Sequence, residues 1–189
     1  MTQQNMLGLL TVFNCENSHP QGDLVFVHGL AGHPWGTWHP QSKTDNQNVE
    51  LWPFWLGENL RANGIDINVW SFGYDAPGFQ YFGQGMSRFD QASNLLKHLE
   101  VNDIGDRPLI FVTHSLGGLV VKQVIRTAQS FPQYQAIIEQ VQGIIFLSTP
   151  HTGTHLANLI KNIGFLTRPT VNVEELKEHS PQLRDLNEW

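Results

Sequence analysis

The sequence predicts an α/β domain built on a mostly parallel sheet with helices on both faces. Three observations carry that expectation. Short, almost wholly apolar runs recur along the chain, blocks with three- and four-residue apolar spacing stand between them, and several of the runs end in glycine, proline or serine. With 189 residues, 40% of them hydrophobic, the chain is long enough for one domain with a real core and short for two. A single domain over residues 1–189 is therefore expected.

Leu7 to Asn14 reads as an opening strand. Asp23 to Gly29 follows as a buried one, rich in valine and phenylalanine and closed by glycine. Ile67 to Tyr74, Pro108 to Ser115 and Val141 to Pro150 repeat the pattern, and their continuous apolarity, in place of alternation, predicts parallel strands covered on both faces. Trp52, Trp55, Leu56 and Leu60 fall at helical spacing behind Pro53, which suits a first helical turn. Met86, Phe89, Ala92, Leu95, Leu96 and Leu99 form a second such stripe, and Leu116, Val120, Val124 and Ala128 a third. Right-handed crossovers then bring the strand C-termini to one edge, so motifs at strand ends carry the most weight.

The most specific motif is the strand that turns at Thr113-His114-Ser115-Leu116-Gly117 into an amphipathic helix. A strand, a sharp turn holding a serine and a following helix are the setting of the nucleophile elbow of the α/β-hydrolase fold. Ser115 is the expected nucleophile. Thr113 departs from the glycine usual at that position, while Gly117 and Gly118 keep the helix side clear. The plainer alternative makes Ser115 an N-cap for the helix, but a cap requires neither the strand nor the paired glycines. His114 is read as a packing residue because its side chain leaves the turn in another direction.

A second motif, His28-Gly29-Leu30-Ala31-Gly32, opens the loop after the Asp23 to Gly29 strand. Acyl transfer places negative charge on a carbonyl oxygen, which this fold holds with two backbone N–H groups, one after the nucleophile and one from this early loop. Leu116 and Leu30 are the expected donors. Trp35, Trp38, Trp52, Phe54 and Trp55 crowd the next segment and are read mainly as core, with lining of an acyl pocket as the alternative.

In order, HGLAGHPWGTW, WPFWLGENL, SFGYDA, RPLIFVTHSLGGLVVKQ and IIFLSTPHTGT resemble the serine-active-site-containing esterase family, and more distantly serine esterases and lipases and the GPI inositol deacylases. The resemblance runs over most of residues 22–160 and implies an α/β-hydrolase acting on lipid or acyl esters. It also implies a second context, since similar modules stand at the N-termini of large signalling NTPases. A non-catalytic sensor or interaction module is accordingly the alternative function, and further domains C-terminal to residue 189 fit that context.

In the α/β-hydrolase order of serine, acid and histidine, the last two follow further strands. Residues 152–189 show no buried-strand run, so the sheet is expected to be truncated before its last strands and the acid and histidine to lie beyond residue 189. His151, just past a strand end, is the best-placed internal histidine. The only acid between it and Ser115 is Glu139, ahead of its strand and so at the opposite edge. His155 and His179, near Asp185 and Glu178, are read as solvated.

Composition excludes several classes. A net charge of −6 with scattered lysine and arginine offers no basic stripe for nucleic acid. No G-x-G-x-x-G follows a strand, which disfavours dinucleotide binding. One cysteine and nine histidines, none at zinc spacing, call for neither a disulfide nor a metal, and no cofactor is expected. The absence of a signal-like start and of a long apolar run suggests a cytoplasmic protein with no transmembrane segment.

Overall fold

The computed structural model describes residues 6–16, 19–44, 50–74 and 88–151. Met86, Glu178, Asp185, His155 and His179 lie outside these. Strands β1 (Gly8–Phe13), β2 (Gly22–Val27), β3 (Ile67–Gly73), β4 (Leu109–His114) and β5 (Val141–Leu147) form one sheet in the order β1-β3-β2-β4-β5. Strand β1 pairs antiparallel with β3 and every other pair is parallel. Helices α1 (Trp52–Ala62), α2 (Arg88–Val101) and α3 (Gly117–Gln129) link successive strands, and a short α4 (Gln135–Gln140) precedes β5.

This order fixes where a site can form. From β2 the chain steps outward to β3, then returns across β2 to β4. The loops leaving β2 and β4 therefore diverge to opposite faces and open a crevice above the strand ends, the place where open α/β sheets bind ligands.

The sheet is covered on both sides, as continuous apolar strands require. On one face Val25, Val27, Phe72, Leu109 and Phe111 pack against Ala92, Leu95, Leu96 and Leu99 of α2 and Val120, Val121, Val124 and Ala128 of α3. On the other, Phe26, Val69 and Val112 meet Trp35, Trp38 and Leu51, with Trp52, Phe54, Leu56 and Leu60 packed against them. Phe26 sits edge-on to Trp38 at 5.0 Å and to Trp52 at 5.3 Å, geometry that adds about 0.5–1.5 kcal/mol per aromatic pair beyond burial.

Two sequence expectations need adjustment. The apolar spacing puts Trp55 on the inner stripe of α1, yet it is 48% exposed. The buried positions of that helix are Pro53 and Gly57, because Gly57 lets the helix backbone close down on the Phe13 ring and turns Trp55 outward. Strand β5 is also less covered than the others, with Ile145 half exposed, since it forms an edge of the sheet among the described residues.

At the opposite end from the crevice, Asp23 ties β2 to both neighbours. Its Oδ1 accepts from Trp70 Nε1 at 2.8 Å, and Arg107 Nε stands 2.7 Å from its Oδ2. The carboxylate is fully buried while Arg107 keeps partial access to water. Removing one partner of a buried pair strands the other, so Asp23→Ala is expected to lower unfolding free energy by about 3 kcal/mol. Urea denaturation would show this, whereas a loss below about 0.5 kcal/mol would make the pair a surface-type contact.

Candidate active site

The site is assembled where β4 hands over to α3. Ser115 follows the last residue of β4, is 4% exposed and has φ +53°, a left-handed backbone that costs a non-glycine residue of order 1–3 kcal/mol. Such a turn throws the side chain up from the sheet edge. The turn is held from β5, because the Ser115 N–H donates to the Leu147 carbonyl at 2.8 Å. Thr113, buried completely, finds room for its extra bulk by donating its hydroxyl to the Ile145 carbonyl at 3.0 Å. No side chain caps α3, so the N-cap role considered for Ser115 is absent.

Two glycines bring the pieces together. A Cβ on Gly117 would fall on the carbonyl oxygens of Val27 and His28, and one on Gly29 would stand 2.7 Å from Ser115 Cβ and 3.2 Å from the Leu116 nitrogen. The early loop thus lies directly against the serine, 86 positions away in sequence. Among the described residues, neither the Leu30 nor the Leu116 N–H donates to a backbone carbonyl. Leu116 stands ahead of the 13-residue α3, at the positive end of its dipole.

The loop after β2 is ordered by its own contacts. Gly32 N–H donates to the Gly29 carbonyl at 3.0 Å, closing a turn in which Ala31 has φ +52°, a value usually left to glycine or asparagine. His33 Nδ1 accepts from the Trp35 and Gly36 N–H groups at 3.2 and 3.3 Å. Trp35 and Trp38 are core residues at 4% and 5% exposure.

Burial disfavours the charged form of four nearby histidines. His28, with no exposed surface, is pushed down to about 4 by burial, opposed by its bond to the Gly29 carbonyl and aided by His33 and His114. Burial also lowers His33, His114 and His151, the last with help from Lys122. His114 faces the Trp38 ring at 6.3 Å, and His151 meets Phe146 edge-on at 4.8 Å. His39 uses Nε2 on Glu50 at 3.2 Å and Nδ1 on the Gln41 N–H. Glu139 bonds Gln135 on α4, ahead of β5. None of these places an imidazole on Ser115 Oγ. The described residues contain no group of three or more metal-type ligands and no helix long and apolar enough to cross a membrane.

Sequence reasoning passed over His28 and Tyr74. Their rings stack at 4.4 Å and 8°, and the Tyr74 hydroxyl donates to the His28 carbonyl at 2.7 Å. The available signal was a polar residue ending an otherwise apolar strand.

A doubly wound sheet with a strained serine at a strand-to-helix turn, facing an early glycine loop, defines the α/β-hydrolase class. The alpha/beta hydrolase family model matches residues 24–184, and the chain belongs to that family. It is 33% identical over 193 residues to Protein SERAC1 of Bos taurus, an alignment taking in 90% of this chain and 29% of that protein. The Danio rerio protein of the same name is 33% identical over 189 residues, covering 92% and 29%. The chain thus spans less than a third of the length of these relatives. Among solved structures, Bacillus licheniformis lipase BlEst2 in mature form superposes with a TM-score of 0.59 at 19% identity, covering 95% of this chain and 64% of that one. Phospholipase PlaB from Legionella pneumophila gives 0.63 at 18% identity, covering 90% and 35%. At those identities the likeness is one of fold.

Two outcomes follow. Gly29→Ala should destabilise by about 1–3 kcal/mol through overpacking, whereas Gly143→Ala, whose added methyl meets nothing within 4 Å, should stay within about 0.5 kcal/mol. Equal midpoints in urea would contradict the contact. For His28, the unfolded chain takes a proton near 6.5 and the folded one near 4, so between those values the unfolded state binds more protons and stability rises with pH. Acidification from pH 7 to 4 should therefore cost roughly 3 kcal/mol at this residue. The stability profile of His28→Asn should be flatter by that amount, and parallel profiles would refute the assignment.

Proposed function

We propose that the protein is a serine hydrolase that cleaves carboxylic esters, acyl or lipid, through Ser115. The observation that carries this reading is the left-handed Ser115 set against Gly29, with the N–H groups of Leu30 and Leu116 donating to no backbone carbonyl among the described residues. Ser115 Oγ gives its proton to a histidine and bonds to the ester carbonyl carbon, whose oxygen becomes an oxyanion held by those two N–H groups. The C–O bond to the alcohol then breaks as the alcohol takes the proton, and water releases the acid by the same steps. The histidine and its acid come after β5, in the order usual for this fold. Residues 1–189 form one unit of that domain. The ester class is supported by the lipase and phospholipase among its structural neighbours. The single cysteine, Cys15, buried in the core, suits a reducing, cytoplasmic setting.

That no described histidine reaches Ser115 favours one second reading, a hydrolase frame retained as an interaction module. A fluorophosphonate probe separates the two, applied to the 189-residue chain and to the longest polypeptide that contains it. The enzyme reading expects labelling of the long form, abolished by Ser115→Ala. Folded protein that stays unlabelled in both forms would leave the interaction module.

A further inference from the structure

We infer that His28 is a positioning residue that sets the oxyanion donor, acting through the peptide between Gly29 and Leu30. This inference rests on the reading of Ser115 as nucleophile and of the Leu30 N–H as a donor. His28 is a buried polar side chain that bonds the oxyanion loop at Gly29 itself. Its Nδ1 lies 2.9 Å from the Gly29 carbonyl oxygen. A carbonyl can only accept, so the ring must carry its proton on Nδ1, which leaves a bare lone pair on Nε2. That Nε2 is buried with no hydrogen-bond partner among the described residues, an arrangement that costs stability and calls for an explanation.

The explanation lies in which peptide the ring touches. The Gly29 carbonyl and the Leu30 N–H belong to one planar trans unit and point in opposite directions. A donor on the carbonyl therefore fixes where the N–H points. Two donors hold this oxygen, His28 Nδ1 and the Gly32 N–H at 3.0 Å, and hydrogen bonds to a carbonyl also strengthen its own N–H as a donor. The preceding peptide is pinned as well, since the Tyr74 hydroxyl donates to the His28 carbonyl at 2.7 Å while its ring stacks on the imidazole. Both peptides around Gly29 are thus held through their carbonyls. A charged imidazole would carry a second buried N–H, and burial disfavours that form.

Asparagine and glutamine separate this role from packing. The amide of His28→Asn stands at the same number of bonds from the backbone as Nδ1 and can donate to the Gly29 carbonyl, while that of His28→Gln corresponds to Nε2 and cannot. Ester hydrolysis by the longest polypeptide containing this chain should keep kcat within about three-fold in His28→Asn. In His28→Gln it should fall by about 10- to 100-fold with KM little changed, as for loss of a group felt only in the transition state. Gly32→Ala, whose methyl would stand 2.8 Å from both His28 Nδ1 and the Gly29 oxygen, should reproduce that loss from the other side. It serves where His28→Gln does not fold. Equal kcat in the two His28 variants, at equal melting temperature, would overturn the inference. Nitrogen-15 spectra of the imidazole give a readout independent of activity: protonated Nδ1 and bare Nε2 are expected, and the opposite tautomer sinks the inference alone. An unlabelled Ser115 in the unsubstituted protein sinks the functional reading on which it rests.

Discussion

The start of α3 presses on the end of β2 so closely that Gly117 has no room for a side chain against the Val27 and His28 carbonyls. Nearly everything of functional interest depends on that contact. It sets how far the helix can swing toward the sheet, and hence the angle at which the chain turns between β4 and α3. It leaves Ser115 in a left-handed backbone that an isolated chain would avoid. It also brings the loop after β2 to within a methyl group of the serine and of the Leu116 nitrogen. The bonds from Ser115 and Thr113 to Leu147 and Ile145 hold the turn on its other side, so the elbow is braced by both neighbours of β4.

The sheet divides its energetics between its two edges. At the N-terminal edge Asp23, Trp70 and Arg107 bind three strands by complementary charge and hydrogen bonding, and the strands there run in regular register. At the C-terminal edge Ser115 and Ser148, directly after β4 and β5, are left-handed, as are Ala31 in the loop after β2 and, ahead of β4, Asp103. Strain persists only where surrounding structure over-determines it. The clusters on both faces, with Phe26, Phe72, Phe111 and Leu95 wholly buried, supply that over-determination.

Much of this was legible in the sequence because it depends on short-range patterns. Each buried strand is a continuous apolar run, α2 and α3 carry unbroken stripes, and the elbow keeps its signature within five residues. What escaped depends on contacts between distant positions or on single atoms. Helix α4 is six residues long behind Pro132, too brief to show a period. Trp55 is apolar and correctly spaced, yet Gly57 moves the inner face of α1 away from it. The pairing of Asp23 with residues 47 and 84 positions away leaves no local trace. Nor does a sequence say which nitrogen of His28 meets which carbonyl.

The electrostatic character of the crevice narrows the chemistry that such an edge can favour. Burial lowers His28, His33, His114 and His151, and it lowers Lys122 as well, so desolvation disfavours the charged form of each. An anion that is already charged in its ground state must give up water to enter a buried place. A neutral carbonyl that becomes charged only as a nucleophile attacks faces a smaller desolvation cost on entry, and oriented N–H dipoles meet the charge where it develops. In a poorly solvated pocket those dipoles act more strongly than they would in water. Their value then depends on orientation being fixed in advance, which is what the proposed donors would draw from the bonds to the His28 and Gly29 carbonyls.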